Sequence, residues 1–173
     1  MEHNKKYQVL VVGAGHAGIE AALAAARCGT RVALITISKN TIGRMSCNPS
    51  IGGLAKGQIV REIDALGGIM GMAADFSGIQ FKVLNKSKGR AVWSPRAQVD
   101  KRMYEKYVKD FVLKEALIEI VEAEIISIVI KGDNVAGVKT ADGTVIYSDS
   151  VILTNGTFLN GLIHIGDKKI PAG

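Results

Sequence analysis

Between Tyr7 and Ile35 the chain leaves very little choice of fold. Tyr7-Gln8-Val9-Leu10-Val11-Val12 is a short, nearly continuous apolar run, the pattern of a strand covered on both faces as in a parallel sheet. Gly13-Ala14-Gly15-His16-Ala17-Gly18 follows at once, and Ile19 to Cys28 is Ala-rich, with small side chains that let a helix lie close to a sheet. Gly29 is a natural helix stop, and Arg31-Val32-Ala33-Leu34-Ile35 reads as a second strand. Strand, glycine turn, helix and strand with short connections make a βαβ unit over 7–35, and such a unit requires a parallel pair.

The remainder is read around that unit. Residues 38–53 form a loop punctuated by Gly43, Pro49, Gly52 and Gly53; Leu54 to Leu66 is expected to be helical, with Ile59, Ile63 and Leu66 on one face. Residues 69–95 are less regular, with a strand expected over Ile79–Leu84. Pro95 suits the first turn of a helix running from Arg96 to Ala116, with Val99, Met103, Tyr107, Phe111 and Val112 on one stripe. Ile118–Val121, Ile125–Ile130, Val135–Thr140 and Val145–Tyr147 are expected to form a β-meander, with turns at Lys131–Asn134 and Ala141–Gly143. Ser150–Thr154 is a separate apolar strand. The expected class is therefore α/β: a Rossmann-like parallel sheet with a loop and helical insert over 38–116, then a β-meander and return strand over 117–156. At 173 residues, 47% of them hydrophobic, the chain suits one domain with a real core. The stretch after Ile163 has no clear terminating element, so a fragment of a larger multidomain protein is expected.

Charge is distributed unevenly. Seven basic residues and one acid lie between Lys82 and Arg102, so this segment alone accounts for the whole net charge of +6. Such a segment attracts polyanions, because neutralising phosphates releases condensed counterions; the alternative is a solvated face. Lys88, Arg96 and Arg102 are the candidate nucleic-acid contacts, and Trp93 either stacks on a base or anchors the loop. Cys28 and Cys47 form no CxxC pair or zinc pattern, and His3, His16 and His164 are scattered, so no metal is expected. No apolar run approaches a membrane span, and Met1–Lys6 lacks a signal-peptide core, so a cytoplasmic chain with thiol cysteines is expected.

The glycine pattern carries the first chemistry. Gly13 permits the tight turn, Gly15 lets a pyrophosphate approach the backbone, and Gly18 lets helix and sheet approach; the helix N-terminus then offers free N–H groups to phosphate. Gly13, Ala14, Gly15, His16, Ala17 and Gly18 are thus the candidate cofactor-binding residues, with an S-adenosylmethionine fold as the competing use of the pattern. The ribose-binding acid expected ~20 residues beyond the fingerprint is missing, since Thr36-Ile37-Ser38-Lys39-Asn40 stands there. A hydroxyl or backbone group must serve instead, which disfavours a plain NAD dehydrogenase. The βαβ unit with a later β-meander and a strand ending in Thr154-Asn155-Gly156 resembles the FAD domain of two-dinucleotide-fold flavoproteins. That resemblance implies that backbone near Glu124 meets the adenine and that Asn155 and Gly156 lie near FAD; the competing reading of Glu124 is an exposed strand residue.

Cys47 lies in Met45-Ser46-Cys47-Asn48-Pro49-Ser50-Ile51-Gly52-Gly53. Asn48 is held extended by Pro49. The helix expected at Leu54 would favour a thiolate a few residues before it, with Arg44 adding to the effect. The alternative is a small buried hydrophobe. Cys28, ending an Ala-rich helix, is expected to pack in the core.

Val11 to Ala22, Met45 to Gly53, Glu62-Ile63-Asp64-Ala65-Leu66-Gly67-Gly68, Gly78-Ile79-Gln80-Phe81, Leu84-Asn85, Ser87-Lys88-Gly89, Arg96-Ala97-Gln98-Val99-Asp100 and Gly156-Thr157-Phe158-Leu159-Asn160-Gly161 closely resemble the GidA/MnmG family from Tyr7 onward. The resemblance implies an FAD-dependent enzyme that, with the GTPase MnmE, adds a carboxymethylaminomethyl or aminomethyl group at C5 of the wobble uridine of tRNA. It further implies methylene-tetrahydrofolate as carbon donor, NADH as flavin reductant, a homodimer, and Cys47 as nucleophile or acid/base group near the flavin. The family usually has Pro where Arg90 stands and a Thr/Val-Gly pair at Asn155-Gly156. Its members are several times longer, with an NAD-binding insertion, a second cysteine and a C-terminal helical domain that engages MnmE and tRNA. The rival readings are a related FAD/folate-dependent tRNA methyltransferase or other two-dinucleotide-fold flavoprotein, and a non-catalytic binding or dimerising fragment.

Overall fold

The computed structural model describes residues 3–157, 159 and 161–172. Met1 and Glu2 of the N-terminal hexapeptide, Phe158 and Asn160 of the Gly156–Gly161 run, and Gly173 lie outside the described residues.

The opening unit folds as its apolar pattern requires. β1 (His3–Val12), α1 (His16–Arg27) and β2 (Val32–Thr36) form a parallel pair with α1 as the crossover. All five β2 residues are buried, which is why this strand reads as an unbroken apolar run. The middle of the chain holds β3 (Ser50–Gly52), α2 (Lys56–Ala65), α3 (Met70–Ser77), β4 (Gly78–Leu84), β5 (Ser94–Val99) and α4 (Lys101–Lys114). The three strands make a small antiparallel sheet in the order β3-β5-β4. The chain then returns through β6 (Ile118–Glu122), β7 (Ile125–Lys131), β8 (Asn134–Thr140) and β9 (Val145–Leu153), followed by a hairpin of β10 (Gly161–Ile165) and β11 (Lys168–Ala172). The main sheet has the order β6-β2-β1-β9-β8-β7, parallel from β6 to β9 and antiparallel from β9 to β7. The chain is thus a mixed α/β fold on a parallel-rich sheet, as the opening unit predicts.

Two apolar clusters hold it. One face of β1 and β2 (Val11, Val32, Leu34) packs on α1 through Ile19, Ala22 and Leu23 and on α4 through Tyr104, Val108 and Val112, and reaches Ile42, Met45 and Ile51 of the 38–53 segment. The other face (Tyr7, Leu10, Ala33, Ile35) packs on Val138 and Ile146 of the meander. At ~1.5–3 kcal/mol for each large apolar side chain fully withdrawn from water, this two-sided burial of β1 and β2 is the dominant stabilising term.

Several sequence expectations require correction. Pro95 does not open a helix; it is the second residue of β5, beyond the end of β3, whose pairing runs only from Gly52↔Arg96 to Ser50↔Gln98, so its missing N–H costs no bond on that side. The following helix starts at Lys101, capped by the Asp100 side chain accepting from Met103 N–H at 2.9 Å. Its buried stripe is Tyr104, Val108 and Val112; of the expected stripe, Val112 is buried and Tyr107 packs partly against the core, Val99 is buried in β5, and Met103 and Phe111 are exposed. β6 is not the first strand of the meander: it pairs parallel with β2, Val32↔Ile118 to Thr36↔Glu122, with α4 earlier in the chain supplying a crossover. Val145–Tyr147 and Ser150–Thr154 are not separate strands, because β9 runs through both, pairing antiparallel with β8 at its start and parallel with β1 along the rest. Cys28 is exposed, since α1 ends at Arg27 and the C-cap residue turns out of the core.

Candidate functional site

Gly13 to Gly18 form a loop shaped by close backbone approach. A Cβ on Gly18 would lie 1.7 Å from the Gly13 carbonyl oxygen and 2.6 Å from Thr154 Oγ1, and Gly13 itself has φ +107° with Thr154 O 2.5 Å from where its Cβ would stand. Only glycine fits at either position. Thr154, at the end of β9, closes the loop: its N–H donates to Val12 O at 2.9 Å, and its hydroxyl lies 2.9 Å from Val12 O and 3.0 Å from Gly13 O. Gly15 is the contrast: a Cβ there would meet nothing within 4 Å, and as N-cap of α1 it offers no side-chain cap to the helix N–H groups. The helix therefore begins in open space with donors available, the arrangement a pyrophosphate needs. Ala14 is buried and its carbonyl accepts from Gly43 N–H at 3.0 Å, while Ala17 is exposed beside the open end.

The cysteine loop is hung from distant elements. Met45 N–H donates to Glu105 Oε1 of α4 at 2.8 Å, Val99 N–H of β5 donates to Pro49 O at 2.9 Å, and Gly53 N–H donates to Pro95 O at 2.8 Å. Cys47 lies exposed between these tethers. Its side of the loop opens on a cleft of about 440 Å³ lined by His16, Met45, Asn48, Lys56 and Ile59, among others. The sequence placed a helix N-terminus shortly after the cysteine; instead β3 intervenes and α2 starts at Lys56. The cation that shares the thiol's cleft is Lys56, the first residue of that helix, and not Arg44, which does not line it.

His16 belongs to both loops: it begins α1 and lines the Cys47 cleft. Its ring lies 5.6 Å from that of Tyr104, and its Nε2 and the Tyr104 hydroxyl are both buried without a hydrogen-bond partner. Burial pushes the imidazole pKa below 6.5, with Glu105 pulling in the opposite direction, so the ring is neutral near pH 7. Burial, with the Glu20 charge adding to it, pushes the Tyr104 pKa upward. Glu20 itself faces the start of α3, accepting from Ile69 N–H at 2.9 Å and Met70 N–H at 2.8 Å.

At the same carboxyl end of the parallel strands, two strands along from the glycine loop, Glu122 supplies a carboxylate that the spacing beyond the fingerprint does not disclose, because it arrives from β6 and not from β2. It accepts from Lys39 N–H at 2.7 Å and its other oxygen lies 3.8 Å from Lys39 Nζ. Glu124 is exposed and its carbonyl accepts from Ala141 N–H at 2.9 Å. Asn155 and Gly156 are exposed just past Thr154, next to the glycine loop.

The three candidate nucleic-acid contacts are not brought together. Arg96 is half-buried in β5 and its guanidinium donates to Ser50 Oγ at 3.3 Å; Lys88 is in a short 3-10 turn at 86–88 and Arg102 in the first turn of α4, and neither lines the Cys47 cleft. The Trp93 indole N–H donates to Lys86 O at 3.2 Å, tying the loop, and the Arg90 guanidinium stands 5.8 Å from the ring centre. Among the described residues no helix is long and apolar enough to cross a membrane.

The family model for glucose inhibited division protein A matches residues 8–173. The tRNA uridine 5-carboxymethylaminomethyl modification enzyme MnmG of Aquifex aeolicus is 54% identical over 97% of this chain and 27% of its own length; that of a Sulfurihydrogenibium species is 57% identical over 100% and 28%. The crystal structure of Aquifex aeolicus GidA superposes with a TM-score of 0.91 at 54% identity, covering 98% of this chain and 28% of that one. A GidA-related protein from Thermus thermophilus, at 21% identity and TM-score 0.61, shares the fold. The chain spans somewhat over a quarter of the length of these MnmG relatives.

Proposed function

The chain belongs to the glucose inhibited division protein A family, and on that premise we propose that it forms the FAD-binding portion of an enzyme modifying C5 of the wobble uridine of tRNA. The observation that carries the reading is the shared cleft: the open start of α1 and the exposed Cys47 thiol border one cavity, with His16 common to both. The residues fit FAD. Uncapped N–H groups at the start of α1 would receive the pyrophosphate and Gly15 would leave it room, with His16, the first residue of that helix, lining the Cys47 cleft. Thr36, the backbone near Glu124, Asn155 and Gly156 border the same carboxyl ends of the parallel strands, where ligands of open α/β sheets sit.

When bound, FAD supplies the redox step, with NADH as reductant. This chain's residues would hold the cofactor at the start of α1 and present the exposed Cys47 thiol, which serves the uracil as nucleophile or proton carrier. Methylene-tetrahydrofolate as carbon donor, the GTPase MnmE as partner, a homodimer and a cytoplasmic location belong to the same proposal, and the motif resemblance supports them. The test is Cys47→Ser in the full-length protein, scored by mass spectrometry of tRNA nucleosides. Because the side chain is exposed, folding should change by less than ~0.5 kcal/mol and the flavin spectrum should persist while modification is lost. Normal modification by that variant overturns the role of Cys47; a C5-methyl product in the unaltered protein overturns the reaction class.

A further inference from the structure

Two clefts flank α2, and the helix shows each a different face. Gly57, Arg61 and Asp64 line a cleft of about 600 Å³ against the three-stranded sheet. Lys56, Ile59, Val60 and Ile63 line the Cys47 cleft of about 440 Å³, with Val60 bordering both. Their spacing puts these four on one helical face. The Cys47 cleft therefore has two unlike walls. α2 gives an apolar one, open enough that Ile59 is 54% exposed. The cysteine loop gives a polar one through Ser46, Cys47, Asn48 and Ser50. A slot of this size with one apolar and one polar side suits a flat polar ring. Among the described residues that line it, Lys56 carries the one formal charge, because burial holds His16 neutral near pH 7. The backbone that leads into Lys56 is strained. Ala55 has φ +60° and ψ −37°, and Lys56 N–H donates to Leu54 O at 2.7 Å. A residue with a Cβ adopts that conformation at a cost, and such costs collect at ligand-binding sites. This turn sets where α2 begins and so places Lys56 at the end of the apolar wall.

Resting on the FAD reading above, we propose that Lys56 tunes the flavin: the ring of FAD occupies the slot between α2 and the cysteine loop, and the Lys56 ammonium offsets the negative charge that the ring gains on reduction. The nicotinamide reductant gives the ring two electrons and one proton and leaves as its oxidised cation, so the reduced ring carries one negative charge and the oxidised ring none. A cation in the slot binds the reduced form more tightly than the oxidised one, and by linkage it raises the midpoint potential. No second charge in the slot opposes it. Arg61, five residues further along α2, carries the same charge into the other cleft and has no such effect.

The test uses the full-length protein with FAD bound, reduced slowly beside a redox dye so that the two absorbances give the midpoint potential. Lys56→Met should weaken binding of reduced FAD about tenfold relative to oxidised FAD, which lowers the midpoint by ~30 mV for a two-electron couple. Lys56→Arg keeps the charge and should change that ratio less than threefold. Arg61→Met removes the same charge from the other cleft and should change it less than twofold. An unchanged midpoint in Lys56→Met overturns the proposal and leaves the FAD reading standing. Equal weakening of both redox forms does the same, by marking a phosphate contact, and so do equal shifts in Lys56→Met and Arg61→Met, by marking a general effect of charge. An unaltered protein that binds no FAD overturns both readings. Lys56 is exposed, so its variants should fold, and circular dichroism with the oxidised flavin spectrum checks that they do.

Discussion

The glycine loop at 13–18 and the cysteine loop at 45–53 are both short, glycine-shaped and adjacent to the same cleft, yet they are built by different means. The first is fixed by what cannot fit: a Cβ at Gly18 would penetrate the Gly13 carbonyl. The second is fixed by what holds it: Glu105, Pro95 and Val99 reach it from elements ~50 residues further along. A loop set by exclusion shows its requirement in its own residues, even where the excluding atoms include those of Thr154. A loop set by tethers has its shape written elsewhere in the chain.

The contrast can be broken by substitution. Gly18→Ala should have the largest effect, a loss on the order of 3 kcal/mol in urea unfolding and no retained flavin, because the clash is with backbone. Glu105→Ala should cost about 1–2 kcal/mol by leaving Met45 N–H without its acceptor. Hydrogen exchange should speed at Met45 while flavin affinity falls less than tenfold. If instead Glu105→Ala abolished flavin binding and Gly18→Ala were tolerated, the distinction between the loops would be wrong. The smallest effect belongs to His16, where the loops meet. Its folded-state pKa is depressed by burial, so the unfolded chain binds a proton that the folded chain refuses. Stability from this group is complete above pH 6.5 and declines as pH falls below it. Thermal midpoints between pH 5 and 7.5 should show the decline, and His16→Asn should remove that part of the slope.

The same contrast explains what the sequence discloses. The βαβ unit was legible because burial on both faces forces an unbroken apolar run and close approach forces glycine, both local signatures. The Cys47 loop was legible as chemistry, through Pro49 and its glycines, but not as architecture. β3 is three residues long, and its place is set by pairing with β5. α3 went unseen because its sequence, Met70 to Ser77, has a weak apolar stripe, and because Glu20, far away in α1, receives its first N–H groups. Arg96 stands out by its charge, but its cross-strand pairing with Lys82 is fixed by the register of β4 and β5, which no local pattern shows. In α4 the apolar spacing counted from Val99 reaches the exposed Met103 and Phe111, because Val99 lies in β5 and the helix starts only at Lys101; Val112 alone of that spacing's last turn is fully buried.

Thr154 sets a clock. The clasp on the glycine loop joins residues 141 and 142 positions apart, so a chain emerging from the ribosome completes its first βαβ unit long before the strand that seals it exists. Until β9 slots in beside β1, the nascent loop is unsealed and that edge of β1 is unpaired. A chain halted before residue 154 would therefore carry the Gly13–Gly18 pattern without the clasp that closes it.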